Sequence, residues 1–426
     1  MQGYHLAFLF VNTYTFCTLL SFFLCHTLCL YVLNSGNLKY KYLVPGGPYE
    51  QLWDWDSFFT GVALLEFGSR PYLAGSMMNF LEHTNLTDGT VEGCLVPDQP
   101  PQGVIYHAKP LIIQGAYLSV DNETINYDSF FQFELAMIAL LEWWDRAPQK
   151  DPYTGLFTWH DQLQSGADNL VLSECPSYRS PECWNEKSDA NTLASAELQT
   201  FLAREHIALS LFYEKWLETA PSSEHQRLEN QREKYAARSR NIISNNLETQ
   251  LWNEEAMTYL AKNVSLSGEA SWIKNRVYVM GIPLWGNLIT NATRINTVAS
   301  SVLDKSTMLS EWGIRSTSKQ DLRYNNDNEI KPYSNWRGPI WVNANAMIIY
   351  GLAKSDSKDL KQNAIAVADA MVHCLAEDLR ITGTWHEGYS GDTGEGLAAD
   401  GFLSWNTLAV SLSQNARKEV DPFLLA

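Results

Sequence analysis

The amino-acid sequence predicts an all-α protein, a toroid of paired helices whose long loops gather on one face. Three observations lead there. Past residue 44 apolar residues recur with helical spacing almost throughout, and alternating strands of five or more residues are scarce. The segments between the helical runs are long and combine Gly, Pro, Trp and Asp. Long loops inside a compact domain are usually functional or a sign of misassignment. Here GGPYEQLWDWDSFF, VPDQPPQGVIYHAKP, WHDQLQSGADNL, KPYSNWRGPIW and WHEGYSGDTGEG all join carboxylates or amides to Trp, Tyr or His, which argues for function.

The elements follow in order. Helical runs cover Ser57 to Gly68 and Pro71 to His83. Asn126 to Ala147 is an apolar-rich helix with a polar stripe. Asp189 to Glu218 and Ser222 to Leu251 are long amphipathic patterns, the second mostly charged on its exposed face. Ile295 to Leu303, Pro339 to Ala353, Asp359 to Leu375 and Gly401 to Gln414 complete the set. No Pro/Ser-rich linker divides residues 44–426, so they are expected to form one domain, with residues 1–43 as an apolar N-terminal segment outside the fold.

The chain has 426 residues, and 45% hydrophobic content with 12% aromatics can fill a sizeable core. Its formal charge of −17 is spread without long acidic runs, and no Lys/Arg cluster interleaves with aromatics, so nucleic acid is excluded as a partner. The 15 Trp and 20 Tyr suit either sugar stacking or a large core. From residue 7 to 33 there is no charged residue, more than the ~20 needed to span a bilayer. This reads as a membrane anchor through residues 7–33 and a secretory-pathway location, with a cleaved signal peptide or a non-native segment on a cytoplasmic protein as the alternatives. Sequons at Asn85, Asn122, Asn263 and Asn291 fit a lumenal domain but are as many as chance supplies. Cys175 and Cys183 are near enough in sequence for a local disulfide.

Most other chemistries lack their motifs. There is no GxGxxG after a strand, no GxxxxGK[ST], no HExxH and no GxSxG. His107, His160 and His386 sit singly among aromatics, without metal-ligand spacing. Carboxylates among aromatics remain, the equipment of glycoside hydrolysis. The stretch TWHEGYSGDTGEG holds two glutamates, Glu387 and Glu395, and asks which of them acts.

In the order YEQLWDWDSFF, SGADN, SNWRGPIW and HEGYSGDTGEGLAADGFLSW, across nearly all of residues 45 to 410, the chain resembles glycoside hydrolase family 63. The likeness is greatest to the branch of mannosylglycerate and glucosylglycerate hydrolases, with trehalase more distant. The resemblance implies an (α/α)6 barrel and inverting hydrolysis of an α-glycosidic bond, without metal or organic cofactor. Asp168 matches the family's general acid and Glu387 its general base, whereas Glu395 matches a recurrent glutamate that binds sugar hydroxyls or orients the loop. Trp55 and Asp56 match the pair that shapes the pocket for the cleaved sugar. Trp336 and Arg337 match a Trp-Arg pair, and an Arg fork suits a carboxylate, sugar hydroxyls or Asp56 itself. Gln102, Tyr106, His107 and Lys109 lie on a loop able to close over the site, Lys109 being the natural partner for an anionic aglycone.

Two departures qualify the likeness. The acid motif usually reads Glu-Ser-Gly and then an aromatic or Met before Asp, but here it is Gln164-Ser165-Gly166-Ala167-Asp168. Losing that carboxylate removes one means of raising the acid's pKa, and Ala167 widens the pocket. The region before Pro45 does not match the family's first helix. The expected substrate is a small glycoside such as mannosylglycerate or glucosylglycerate. The alternatives are a lumenal glucosidase acting on oligosaccharide chains and a sugar-binding protein that has lost catalysis.

Overall fold

Two kinds of helix in the sequence become two layers of structure. The computed structural model describes residues 37–96, 106–121, 123, 125–159, 162–172 (backbone only at 162 and 163), 192–264, 270–328 and 334–425. Its helices are α1 (Asp54–Ala63), α2 (Arg70–Glu82), α3 (Ile112–Leu118), α4 (Glu134–Trp144), the single turn α5 (Gln162–Ser165), α6 (Ala196–Thr219), α7 (Ser222–Asn241), α8 (Ala292–Val302), α9 (Val342–Ala353), α10 (Lys358–Thr382) and α11 (Ala409–Lys418). Every residue of α9 is buried, whereas α7 buries only Leu228, Tyr235 and Ser239. A helix apolar all round belongs inside, and one with a charged face belongs outside. Neighbours pack as α1 on α2, α6 on α7, α9 on α10 and α10 on α11, giving the expected all-α fold of the (α/α)6 barrel type.

The ring closes where α1 meets the last described segment. The Ser404–Leu408 3₁₀ turn packs on α1, and the Phe423 ring lies 5.6 and 5.8 Å from those of Phe58 and Phe59 on α1. Arg204 reaches across from α6 to the Phe423 carbonyl. Among the described residues, some that precede residue 44 are packed on the helices. Leu38 and Tyr42 are buried, and the Tyr40 N–H and C=O both bond the Asn79 amide on α2.

Several expected helices change form. Asn126 to Ala147 is not one α-helix: Tyr127–Phe133 is 3₁₀, capped by the Asn126 side chain, and α4 follows. Ser222 to Leu251 divides into α7 and a π-helix, Ile242–Leu251, within which Asn246 donates to Gly155 O and Gln199 Oε1. The run expected from Asp189 starts at Ala196, with Ser195 as its cap. α1 starts three residues earlier than expected, directly after β1 (Leu52–Trp53), which places Trp55 and Asp56 in its first turn.

The strands are short. β1 pairs with β2 (Cys94–Leu95), and β3 (Leu193–Ala194) joins a three-stranded sheet. β4 (Trp252–Asn253) pairs with β5 (Thr258–Tyr259), while β6 (Ala261–Val264) lies between β3 and β7 (Ala270–Ile273). β8 (His386–Tyr389) and β9 (Gly396–Asp400) make an antiparallel hairpin of the segment expected to be a loop. Residues 7–33, Gln102, Asn122, His160, Cys175 and Cys183 lie outside the described residues. Among the described ones no helix is long and apolar enough to cross a membrane.

Candidate active site

A cavity of about 180 Å³ is lined by three carboxylates that come from distant parts of the chain: Asp56, Asp168 and Glu387. Asp56 stands on the first turn of α1, 5% exposed, and its Oδ1 accepts from Ser404 Oγ at 2.7 Å. Burial pushes its carboxyl up to about 7, against the pull of the Ser404 bond, and nearby Asp54 adds to the rise.

Glu387 owes its aim to an irregularity. The hairpin pairs His386 with Asp400 but Gly388 with Leu397, so Glu387 faces both Ala398 and Ala399 across a bulge. Ala398 adopts φ +65°, a left-handed conformation that a Cβ disfavours, and its N–H donates to Asn328 Oδ1 at 2.7 Å. Glu387 is 6% exposed, and Tyr49 Oη donates to its Oε2 at 3.1 Å. Burial first, then the charges of Asp56 and Asp168, push Glu387 up to about 8.

Asp168 sits on the turn after α5 and is half-buried. Its Oδ2 accepts from Ser334 N at 3.1 Å and Ser334 Oγ at 3.0 Å. The next residue ties the two motifs together: Asn169 Oδ1 accepts from Trp336 N at 2.6 Å, and Asn169 O accepts from Arg337 Nε at 2.9 Å. SGADN and SNWRG are thus one interlocked unit. Gly166, at φ +76°, lies against Trp55, and a Cβ there would stand 2.4 Å from the indole Cη2. The small residue lets the acid-bearing turn close on the aromatic wall.

That wall is a cluster of indoles. Trp55 meets Trp405 edge-on at 5.4 Å and Trp336 at 5.9 Å, and Trp336 stacks on Trp341 at 4.2 Å. Trp55 and Trp405 line the cavity; the fully buried Trp336 backs Trp55, and Trp341 meets Trp405 edge-on at 5.9 Å. Lys109 also lines it, its ammonium 3.3 Å from Asp54 Oδ1.

Of the residues singled out in the sequence, Asp168, Glu387, Trp55, Asp56 and Lys109 share the cavity lining; four others do not. His107 stacks on Trp143 at 3.6 Å with its ring nitrogens against Ala108 O and Gly89 O, a structural role away from the cavity. Trp336 is packing beneath the wall rather than a sugar platform. Arg337 is engaged with the Asn169 carbonyl and does not line the cavity. Glu395 is exposed near the hairpin turn, where it accepts from Thr393 Oγ1, and it too is outside the lining. Gln164 is buried and donates to His107 O, holding the Tyr106–Lys109 segment in place. Sequence reasoning passed over Tyr49, Trp53, Asp54, Ser334, Phe402 and Trp405. All six fall inside the quoted motifs or directly beside their carboxylates, which was the available signal.

Comparison with known proteins places the chain in a family and a fold. The model of the glycosyl hydrolase family 63 C-terminal domain matches residues 182–415, a span that includes Glu387 but not Asp56 or Asp168. A probable mannosyl-oligosaccharide glucosidase of Schizosaccharomyces pombe is 27% identical over 187 residues, 40% of this chain and 22% of that protein. The chain therefore matches about a fifth of that relative's length. A family 63 mannosylglycerate hydrolase from Thermus thermophilus superposes with a TM-score of 0.62 at 17% identity, covering 87% of this chain and 95% of the other. The neutral trehalase of Saccharomyces cerevisiae does so at 0.60 and 15%, covering 91% and 77%. At these identities the superpositions speak for the fold.

Proposed function

Because the chain belongs to glycosyl hydrolase family 63, we propose that it hydrolyses an α-glycosidic bond with inversion of the anomeric centre. One observation carries the reading: carboxylates from three distant segments line a single cavity with an indole wall. Inversion needs a protonated acid at the leaving oxygen and a carboxylate that activates water on the opposite face, roughly 6.5–9.5 Å apart. In this reading Asp168 protonates the leaving oxygen and Glu387 takes the proton of the attacking water. Three carboxylates around so small a space cannot all ionise cheaply: Glu387 is pushed up to about 8 and Asp56 to about 7, so in this reading the water-activating carboxylate is freed as the pH rises toward the upper value. Asp56 accepts hydroxyl hydrogen bonds from the sugar, and Trp55 offers it a ring face.

The substrate we favour is a neutral α-glucoside at the end of an oligosaccharide rather than a glycerate conjugate. Of the two cations a glycerate carboxylate would seek, Arg337 is off the lining and Lys109 is held by Asp54. An anionic aglycone leaving past Asp168 would also meet that carboxylate. The curated relative's name, an oligosaccharide glucosidase, agrees in kind. We read residues 38–425 as one catalytic unit, since a single core cluster runs from Leu38 to Leu425.

The test is incubation of the full chain with a glucosylated oligosaccharide, trehalose, glucosylglycerate and mannosylglycerate, with NMR of the released sugar. β-Glucose should appear first from the oligosaccharide. Initial α-anomer would remove inversion, and release from the glycerates alone would restore the acidic aglycone.

A further inference from the structure

The cavity carries a single basic side chain among its described lining residues, Lys109, set against three carboxylates. It is 1% exposed, and its ammonium is fixed from several directions. Nζ lies 3.3 Å from Asp54 Oδ1, 4.6 Å from the Trp55 ring centre and 4.5 Å from that of Tyr106. Asp54 Oδ2 also takes the Lys109 backbone N–H at 2.8 Å, so one fully buried carboxylate sets both the main chain and the head group. Gly166 closes another side, where a Cβ would stand 2.9 Å from Lys109 Cε.

A buried ion pair is costly unless further hydrogen bonds satisfy it. An ammonium has three N–H donors, and Asp54 Oδ1 is the one acceptor within hydrogen-bonding distance of Nζ among the described residues. The rings of Trp55 and Tyr106 stabilise the charge through their faces without replacing an oxygen acceptor. Donor capacity is therefore left on a group that lines the cavity. The occupant it suits is an uncharged oxygen: Asp54 already balances the charge, and an anion would face Asp56, Asp168 and Glu387. Lys109 and Asp56 are deeply buried, whereas Asp168 is half-buried. A sugar entering this cavity puts its hydroxyls toward Lys109 and Asp56 and its leaving group outward past Asp168. A carboxylate acceptor near an ammonium donor matches two hydroxyls of one ring.

Resting on the glycosidase reading above, we propose that Lys109 is the specificity-determining donor to one hydroxyl of the sugar that is released, and that Asp54 is its positioning residue. The ion pair is then a means of presenting a donor, not an anion receptor.

The experiment measures fluoride release from α-glucosyl and α-mannosyl fluorides and from the 3-, 4- and 6-deoxy analogues of whichever is hydrolysed. The proteins compared are the wild type, Asp54→Asn, Lys109→Met and the double variant Asp54→Asn/Lys109→Met, which leaves no unpaired buried charge. The wild type should lose roughly 10- to 100-fold in kcat/KM on one deoxy sugar. The double variant should lose a similar factor on the parent sugar and treat that analogue and the parent alike. Asp54→Asn should show the same loss of discrimination with the ammonium still present; full discrimination in that variant would remove its positioning role. Equal penalties for all analogues in wild type and double variant would overturn the proposal. If the wild type releases no fluoride from either parent compound, the glycosidase reading itself fails and Lys109's role with it.

Discussion

Glu387 and Glu395 sit on one hairpin, eight residues apart in sequence, and share almost nothing else. The first is 6% exposed, placed opposite a bulge, hydrogen-bonded by Tyr49 and pushed up to about 8 by burial and two neighbouring carboxylates. The second is exposed beside the turn, with Thr393 as its hydrogen-bond partner. On the proposed reading, the difference means that residue type and sequence neighbourhood do not make a catalytic group. Desolvation and aim do, and both come from segments far away: Tyr49 near the start of the fold, Asp56 on α1 and Trp405 after the hairpin.

The largest effect should come from neutralising the two glutamates in turn. Glu387→Gln is expected to lower kcat by roughly 10²–10⁴-fold with KM little changed. Glu395→Gln should leave kcat intact and change stability by less than about 0.5 kcal/mol in thermal denaturation. A collapse of activity in Glu395→Gln, with Glu387→Gln near wild type, would reverse the comparison.

A smaller effect tests the bulge that aims Glu387. At φ +65° a β-branched side chain is more strained than Ala, so Ala398→Val should cost roughly 1–3 kcal/mol and lower kcat as Glu387 turns away. Ala398→Gly removes the Cβ that opposes this conformation and should keep both stability and rate. Unchanged melting and kcat in Ala398→Val would mean that the bulge does not hold the carboxylate.

Much of this arrangement was legible in the sequence and some was not, for identifiable reasons. Helical period marked the outer helix α7 and the fully buried α9, since each face of a helix reports its surroundings locally. Asp168 and Glu387 were legible because each lies in a motif whose neighbours, Gly166 and Tyr389, are themselves constrained: Gly166 by Trp55, and Tyr389 by backbone pairing with Ile340. The hairpin was not, because Ser, Gly, Asp and Thr at its turn dilute the alternation of two strands of four and five residues. His107 and Arg337 were misplaced for a related reason. A polar side chain among aromatics looks the same in sequence whether it faces a cavity or satisfies carbonyls behind it, and only the partners Gly89 O and Asn169 O separate the cases. The Asp54–Lys109 pair joins residues 55 positions apart, a contact that no local pattern encodes.

The smallest effect concerns what sets the proton affinity of Glu387. A general base works ionised, so kcat/KM should rise with pH through the pKa of the free enzyme's carboxylate cluster, near the value of about 8 to which Glu387 is pushed. The Tyr49 hydroxyl donates to Oε2 and favours the ionised form, so it opposes the rise caused by burial. Tyr49→Phe removes that donor; the carboxyl then holds its proton to higher pH, and the limb should move upward by up to about one unit, the equivalent of one net hydrogen bond. Activity at neutral pH falls while the high-pH plateau stays. Asp56 acts in the other direction, since its charge opposes a second charge on Glu387. Asp56→Asn should therefore move the limb downward, on whatever activity survives the loss of its sugar contacts. Opposite displacements of the two pH profiles would tie Glu387 to both neighbours, whereas a limb unmoved in both variants would mean that it reports another group and that Glu387 is not the base.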